Sequence, residues 1–165
     1  MSIAYISIGS NLSKPINQVN NAIETLKNLP KSKFLNASML YNSSPMGSNN
    51  QPNYVNAAIA IDTKLTPFEL LDCTKKIEQH YGRVRKNMER WQPRTLDLDI
   101  ILFGNDVINS KHLTIPHYGM KEREFVLYPI IEIAPNLQLP DGIKLKSLLK
   151  NLDSTRLKYL SIIKI

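Results

Sequence analysis

Cysteine occurs once in the 165 residues, as Cys73, so no internal disulfide can form. That residue falls in a helical pattern where packing is its expected role, and no thiol chemistry is indicated. Nor does any stretch approach the ~18 apolar residues of a membrane span. The apolar start MSIAYISIG carries no basic leader or small-residue cleavage site, and the expected compartment is the cytoplasm. Glycine-rich phosphate loops are missing too. Neither G-x-x-x-x-G-K-S/T nor G-x-G-x-x-G occurs, which excludes P-loop and Rossmann modes of nucleotide binding. There is no internal repeat and no low-complexity tract. Acidic residues are outnumbered, 14 Asp and Glu against 21 Lys and Arg, and the net charge of +7 implies attraction to polyanions. Charge alone does not choose among nucleotides, nucleic acids and acidic membranes. The length suits one domain with its own core, expected to span 1–165 as a single unit.

What is present reads as alternating strands and helices. Ile3 to Gly9 is a nearly unbroken apolar run, a strand buried on both faces, and Gly9-Ser10-Asn11 turns out of it. Pro15 opens a helix whose apolar stripe is Ile16, Val19, Ile23 and Leu26, with Pro30 marking its end. Phe34 to Ser44 is strand-like. The following SSPMGSNNQP has the composition of a mobile surface loop, a lid candidate over 44–52. Tyr54 to Thr63 alternates again as a strand. Thr66, Pro67 and Glu69 then form a capping box with proline where its missing N–H costs nothing, opening a helix that buries Leu70, Leu71, Thr74, Ile77 and Tyr81 and ends near Gly82. The basic connection 83–95 has no helical stripe and is a second lid candidate. Beyond residue 102, Val107-Ile108 is expected to pair back as a hairpin, Phe125 to Ile133 to be a short helix, and Leu137 to Ile143 a small hairpin. Lys144 to Leu152 reads as an amphipathic helix and Tyr159 to Ile163 as an edge strand. The fold class is therefore α+β, a two-layer or sandwich arrangement around a central, mainly antiparallel sheet.

The chemistry concentrates in RWQPRTLDLDIIL, Arg90 to Leu102. Leu96, Leu98, Ile100 and Leu102 alternate on one side of a strand, so Asp97 and Asp99 project together from the other. Residues two apart on a strand are roughly 6.5–7 Å apart at Cα, near enough for their carboxylates to share divalent cations, and hard oxygen donors suit magnesium. Alternating charge can also protect an edge or face water. Against that, Asp and Leu alternate here with no Thr or Lys between them, and two adjacent like charges repel unless a cation lies between them. Arg83, Arg85, Lys86, Arg90 and Arg94 stand just upstream. Alone they fit a solvated loop; beside the paired carboxylates they favour polyphosphate chemistry.

The run WQPRTLDLDI resembles the W-G-P-R-T-L-D-L-D-I signature of the 6-hydroxymethyl-7,8-dihydropterin pyrophosphokinases of folate biosynthesis. AYISIGSNL, QPNYVNAAIAI, GRVRK and LTIPHYGMKEREFVLYPIIEIAP extend the resemblance over the chain in the family's order. Gln92 departs from it, standing where the family has Gly or Ala, and KNMER between Arg85 and Trp91 is one residue longer than in close family members. The resemblance implies a ferredoxin-like α/β sandwich and an ATP-dependent transfer of pyrophosphate to the pterin hydroxymethyl group, with release of AMP. It implies Asp97 and Asp99 as ligands of two Mg2+ ions, and Arg83 and Arg94 as the cations that neutralise the moving group. Leu71, Glu78, Arg85, Ile100, Thr114, His117, Tyr118 and Arg123 match nucleotide-side positions. Tyr54 and Phe125 would sandwich the pterin ring, Ser43 and Asn56 would bond its edge, and Trp91 would close over it. Lys75 and His112 stand where related sequences often carry Gln and Arg.

On this reading the partners are ATP and the dihydropterin, with no nucleic acid and no membrane, and the chain acts as a monomer. The rival reading is a basic ferredoxin-like module that stacks RNA bases on its sheet. It lacks the aromatic-rich strand such modules need, and Asp97 and Asp99 would repel nucleic-acid phosphates. A scaffold that has lost turnover through Gln92 is a second alternative.

Overall fold

The computed structural model describes residues 1–46, 50–82 and 95–164. In chain order the elements are β1 (Ser2–Ser10), α1 (Pro15–Leu26), β2 (Ser32–Ala37), β3 (Tyr41–Ser43), β4 (Tyr54–Thr63), α2 (Pro67–His80) and β5 (Asp97–Phe103). They are followed by β6 (Ile108–Asn109), β7 (Thr114–Ile115), a 3-10 turn (Met120–Glu122), α3 (Glu124–Ile133), a 3-10 segment (Leu145–Asn151), α4 (Ser154–Leu157) and β8 (Ser161–Ile162).

β1 is the strand on which the sheet is assembled. It pairs antiparallel with β4 from Ser2 opposite Thr63 to Ser10 opposite Val55, and on its other side with β5. The sheet runs β5-β1-β4-β3-β8, with β2 also on β4. Taking β2 and β3 as one interrupted strand, the β-α-β-β-α-β order through β5 is that of a ferredoxin-like sheet. Helices α1 and α2 cover one face, burying Val19, Ile23, Leu26, Leu70 and Ile77 against Ile6, Ile8, Ala57, Ile59, Leu98 and Ile100. Helix α3 and the second 3-10 segment cover the other, where Val126, Leu127, Ile130, Leu145 and Leu148 meet Ala58, Ile101 and Leu102. The arrangement is thus a sandwich rather than two layers.

Several local expectations change. The run Phe34 to Ser44 is two strands, because the register on β4 shifts at Phe34–Asn36 and the chain then leaves the ladder. Ser38 satisfies Ala58 twice, its N–H donating to the carbonyl and its hydroxyl accepting from the Ala58 N–H, both at 2.9 Å. Met39 N–H goes to the Glu132 carboxylate of α3 instead of to a strand. In β5 the alternation breaks at Ile101, an extra residue between the pairs Tyr5–Leu102 and Ile6–Ile100. Leu102 therefore packs with α3, opposite to Leu96, Leu98 and Ile100. Ile16 is 38% exposed, so the α1 stripe starts at Val19.

The expected Val107-Ile108 hairpin pairs forward rather than back onto β5: β6 meets β7 through a turn in which the Ser110 hydroxyl accepts from Leu113 N–H. The outer edge of β5 is already used, Leu98 N–H by Glu78 and the Ile101 carbonyl by His117 N–H. Lys144 to Leu152 winds as a 3-10 segment, and the hairpin at Leu137 to Ile143 is reduced to a bridge between Gln138 and Lys144. Tyr159 to Ile163 does supply an edge strand, β8 on β3.

The capping box at Thr66 is present, with Glu69 N–H donating to Thr66 Oγ1 and Thr66 N–H to the Glu69 carboxylate. Thr66→Ala should lower stability by about 1 kcal/mol, seen as a fall of roughly 2–5 °C in the thermal midpoint. An unchanged midpoint would mean that α2 is held by its packing alone.

Candidate active site

Leu96, Leu98 and Ile100 point into the α1–α2 core, which turns Asp97 and Asp99 to the opposite face, both half-buried. Asp97 lies opposite Gly9, and Gly9 is opposite Asn56 on its other side; Asp99, Ser7 and Ala58 form the next row. Directly paired residues share a sheet face, so Asp97, Gly9 and Asn56 make one line across three strands. Two strand spacings separate its ends by roughly 10 Å. Gly9 is the floor of that line: a Cβ there would stand 3.4 Å from Asn56 Oδ1 and 3.7 Å from the Tyr54 ring. Asn56 and Ser43 are each 2% exposed, and Asn56 Nδ2 donates to Ser43 Oγ at 2.6 Å. Tyr54 is half-buried one step further along β4, and Phe125 is half-buried in the first turn of α3.

The chain after β7 brings a second group to the carboxylates. His117 N–H donates to the Ile101 carbonyl at 3.0 Å, and its Nε2 lies 3.9 Å from Asp99 Oδ1. Gly119 N–H donates to His117 Nδ1 at 3.1 Å. Nδ1 is thereby the acceptor, so the neutral ring carries its proton on Nε2, facing Asp99. The Tyr118 ring stacks on His117 with centroids 4.5 Å apart, and the buried Arg123 guanidinium lies 5.4 Å from the Tyr118 centroid. Gly119 makes room for it, since a Cβ there would come within 2.6 Å of Arg123.

The remaining sequence candidates are less convergent. Ile100 is buried in the α1–α2 core, Leu71 packs partly against that core, and buried Glu78 accepts the Leu98 N–H at 2.8 Å. These side chains lie across β5 from the carboxylates. Thr114 is half-buried in β7 and His112 exposed. Arg83, Arg85, Trp91, Gln92 and Arg94 lie outside the described residues, as do 47–49 of the first lid candidate and 83–94 of the second. Burial raises the Cys73 thiol pKa, which suits a packing role.

Asn11, read from sequence as part of a turn, does more. Only 1% exposed, it donates to the Pro52 carbonyl at 3.1 Å and to Gln51 Oε1 at 3.2 Å, tying the segment before β4 to the end of β1. Ser10 likewise bonds the Thr95 carbonyl, joining the ends of β1 and β5. The available signal was two polar residues directly following a buried strand.

As a donor set, two half-exposed carboxylates on one face fit magnesium, which keeps several positions for water and phosphate. Among the described residues no group of three or more His, Cys, Asp or Glu could form a closed metal cage.

A family profile described as 7,8-dihydro-6-hydroxymethylpterin-pyrophosphokinase (HPPK) matches residues 5–135. The chain belongs to that family. A 2-amino-4-hydroxy-6-hydroxymethyldihydropteridine pyrophosphokinase of Haemophilus influenzae is 46% identical over 150 residues, covering 91% of this chain and 92% of its own. Its counterpart in Pseudomonas aeruginosa is 47% identical over 145 residues, 88% of each. In fold, the chain resembles an HPPK-DHPS crystal structure with substrates, at TM-score 0.69 and 13% identity over 91% of this chain and 43% of the other. It also resembles wild-type HPPK-DHPS of Plasmodium falciparum, at TM-score 0.69 and 14% identity over 91% and 44%. The chain spans less than half the length of those two structural neighbours.

The close approach of Gly119 to Arg123 leads to a structural prediction. Because the crowded atoms are the end of a flexible side chain, Gly119→Ala should fold with its thermal midpoint shifted by less than about 4 °C, under 1 kcal/mol. The Arg123 guanidinium should leave the Tyr118 face, abolishing the ring-current shift of its Nε–H in an NMR spectrum. Retention of that shift would show that the glycine is not what seats Arg123.

Proposed function

We propose that this chain transfers the β,γ-pyrophosphoryl group of ATP to the hydroxymethyl oxygen of 6-hydroxymethyl-7,8-dihydropterin, the pyrophosphokinase step of folate biosynthesis. The observation that carries the reading is the line Asp97–Gly9–Asn56, a carboxylate and a buried amide on one sheet face with only glycine between them, and with the second carboxylate, Asp99, in the adjoining row. In this reading Asp97 and Asp99 hold two magnesium ions. Bound there, magnesium neutralises phosphate charge and lowers the pKa of the attacking hydroxyl.

Asn56 and Ser43 orient the pterin edge, and Tyr54 and Phe125 take its flat faces, supplying the stacking and amide bonding that a pterin requires. A lone pair of the hydroxymethyl oxygen forms the new bond to the β-phosphorus, the bond from that phosphorus to the α,β-bridging oxygen breaks with its electron pair staying on AMP, the hydroxyl proton passes to solvent, and AMP leaves. His117 offers its Nε2–H to a phosphate oxygen beside Asp99. Tyr118 and Arg123 complete that wall, with the guanidinium kept charged for the polyphosphate. Arg83 and Arg94 neutralise the moving group and Arg85 and Thr114 stand on the nucleotide side, in line with the family pattern; Leu71, Glu78 and Ile100 belong to that side by the family pattern alone, since their side chains lie across β5 from the carboxylates. Trp91 closes over the pterin. In this reading one chain binds both substrates and acts as a monomer in the cytoplasm. An RNA-stacking role is disfavoured by two carboxylates at the place where backbone phosphates would have to run.

Product analysis with magnesium, ATP and the hydroxymethyl pterin should show AMP and pterin diphosphate in equal amounts. ADP with pterin monophosphate would overturn the assignment. In the same assay Asp99→Ala should lower kcat on the order of 10²–10³, the usual cost of losing a preorganised electrostatic partner. Tyr54→Ala should act mainly through pterin KM, by roughly 2- to 12-fold, since stacking worth about 0.5–1.5 kcal/mol serves ground and transition states alike. A folded Asp99→Ala variant with normal kcat would remove the metal role from β5.

A further inference from the structure

Arg156 lies far from the signature in sequence, on the short α4, and none of the family motifs quoted above includes it. Its position is set from both sides. Asp153 caps α4, its carboxylate accepting from Thr155 N–H at 2.9 Å. After α4 the chain returns as β8, pairing Ser161 with Asn42 and Ile162 with Tyr41, and Ile163 N–H donates to the Leu40 carbonyl at 2.8 Å.

The guanidinium so delivered has four acceptors. Nε reaches both oxygens of Glu124, at 2.6 and 3.4 Å, Nη2 donates to the Ser44 carbonyl at 2.9 Å, and Nη1 reaches the Pro45 carbonyl at 3.5 Å. It also stands 5.9 Å from the centre of the Phe125 ring. The Glu124 side chain is 3% exposed and that of Arg156 18%, so the ion pair is largely desolvated. A carboxylate at that depth is tolerated only with its partner in place.

Two partners of Arg156 adjoin residues of the candidate pterin pocket. Ser44 follows Ser43, whose hydroxyl accepts from Asn56, and Glu124 precedes Phe125. The guanidinium thus joins the strand that carries the edge-bonding hydroxyl to the helix turn that carries the stacking ring. A lysine could keep the charge but not the fork that meets Glu124 and two carbonyls at once.

We propose that Arg156 is a positioning residue for the pterin pocket, holding Ser43 and Phe125 at a fixed separation through Ser44, Pro45 and Glu124; this rests on the reaction proposed above. The test is steady-state kinetics on Arg156→Ala, Arg156→Lys and the double variant Glu124→Leu/Arg156→Leu, with amide exchange at Ser44 and Met46 measured in the free proteins. The double variant replaces the buried pair by apolar groups, which preserves folding if Arg156→Ala alone strands the Glu124 charge.

Pterin KM should rise about tenfold in Arg156→Ala and in the double variant, the equivalent of one hydrogen bond from a charged group, with kcat and ATP KM within about twofold of wild type. Arg156→Lys should restore the thermal midpoint more fully than the pterin KM. A folded double variant with wild-type pterin KM overturns the proposal, and so does a parallel loss in kcat and ATP KM, which is the mark of general damage. If the wild-type protein makes no AMP, the reaction assignment falls by itself. Arg156 is then judged on exchange: faster exchange confined to Ser44 and Met46 in the variants supports its positioning role, and unchanged exchange removes it.

Discussion

The hydrogen-bonded pairing of β1 on both its sides is the constraint on which the rest depends. Because β4 and β5 both take their register from it, the side chains of three strands are committed to one face or the other together. A slip of one residue on either side would turn Asp97 and Asp99, or Tyr54 and Asn56, into the α1–α2 core. The apolar positions of β1 prevent that. Ala4, Ile6 and Ile8 are fully buried on the α1–α2 face beside Ala57, Ile59, Leu98 and Ile100, which a one-residue slip would turn out of that core. Hydrophobic burial on one face therefore fixes polar chemistry on the other.

A sheet that carries polar residues so close to its core must satisfy them, and side chains from the helices do so. Glu78 of α2 takes the Leu98 N–H that no strand reaches, and Glu132 of α3 takes Met39 N–H and the Tyr41 hydroxyl where β2 gives way to β3. Burial first, and then the Glu132 carboxylate, push the Tyr41 pKa upward, so the phenol stays a donor. Without Glu78 the buried Leu98 N–H would be an orphan, at a cost of about 1–3 kcal/mol. These bonds hold the candidate site's strands at the points where the ladder is irregular.

Polar contacts also link the candidate site to segments far along the chain. His117 comes to Asp99 because its own backbone N–H bonds the bulge carbonyl of Ile101, so the irregularity in β5 creates the anchor for the histidine. Asn11 holds Gln51 and Pro52 at one end of the segment before β4, and Arg156 holds Ser44 and Pro45 at the other. The glycines at 9 and 119 serve the opposite purpose, keeping space free under Tyr54 and Asn56 and beside Arg123.

Much of this was legible in the chain itself. Period-two alternation placed Asp97 opposite Leu96 and Leu98, capping chemistry placed the start of α2, and the order of elements implied the antiparallel sheet, because each of these depends on residues within a few positions of one another. The bulge at Ile101 was not legible, since alternation in one strand says nothing of an extra residue relative to its partner, and Leu102 was accordingly assigned to the wrong face. The split at Ser38 and the forward pairing of β6 depended on Ala58, Glu132, Glu78 and His117, groups 20 or more positions away in most cases. That Arg156 meets Glu124, 32 positions away, was decided in the same way. The sequence by itself determined the kinds of groups available and the faces of most elements, through local periodicity. Only the tertiary structure decided that Asp97, Gly9 and Asn56 form one line, that His117 turns Nε2 to Asp99, and that Arg156 bridges β3 and α3, because hydrogen bonds and ion pairs act over a few ångströms of space with no regard to separation along the chain.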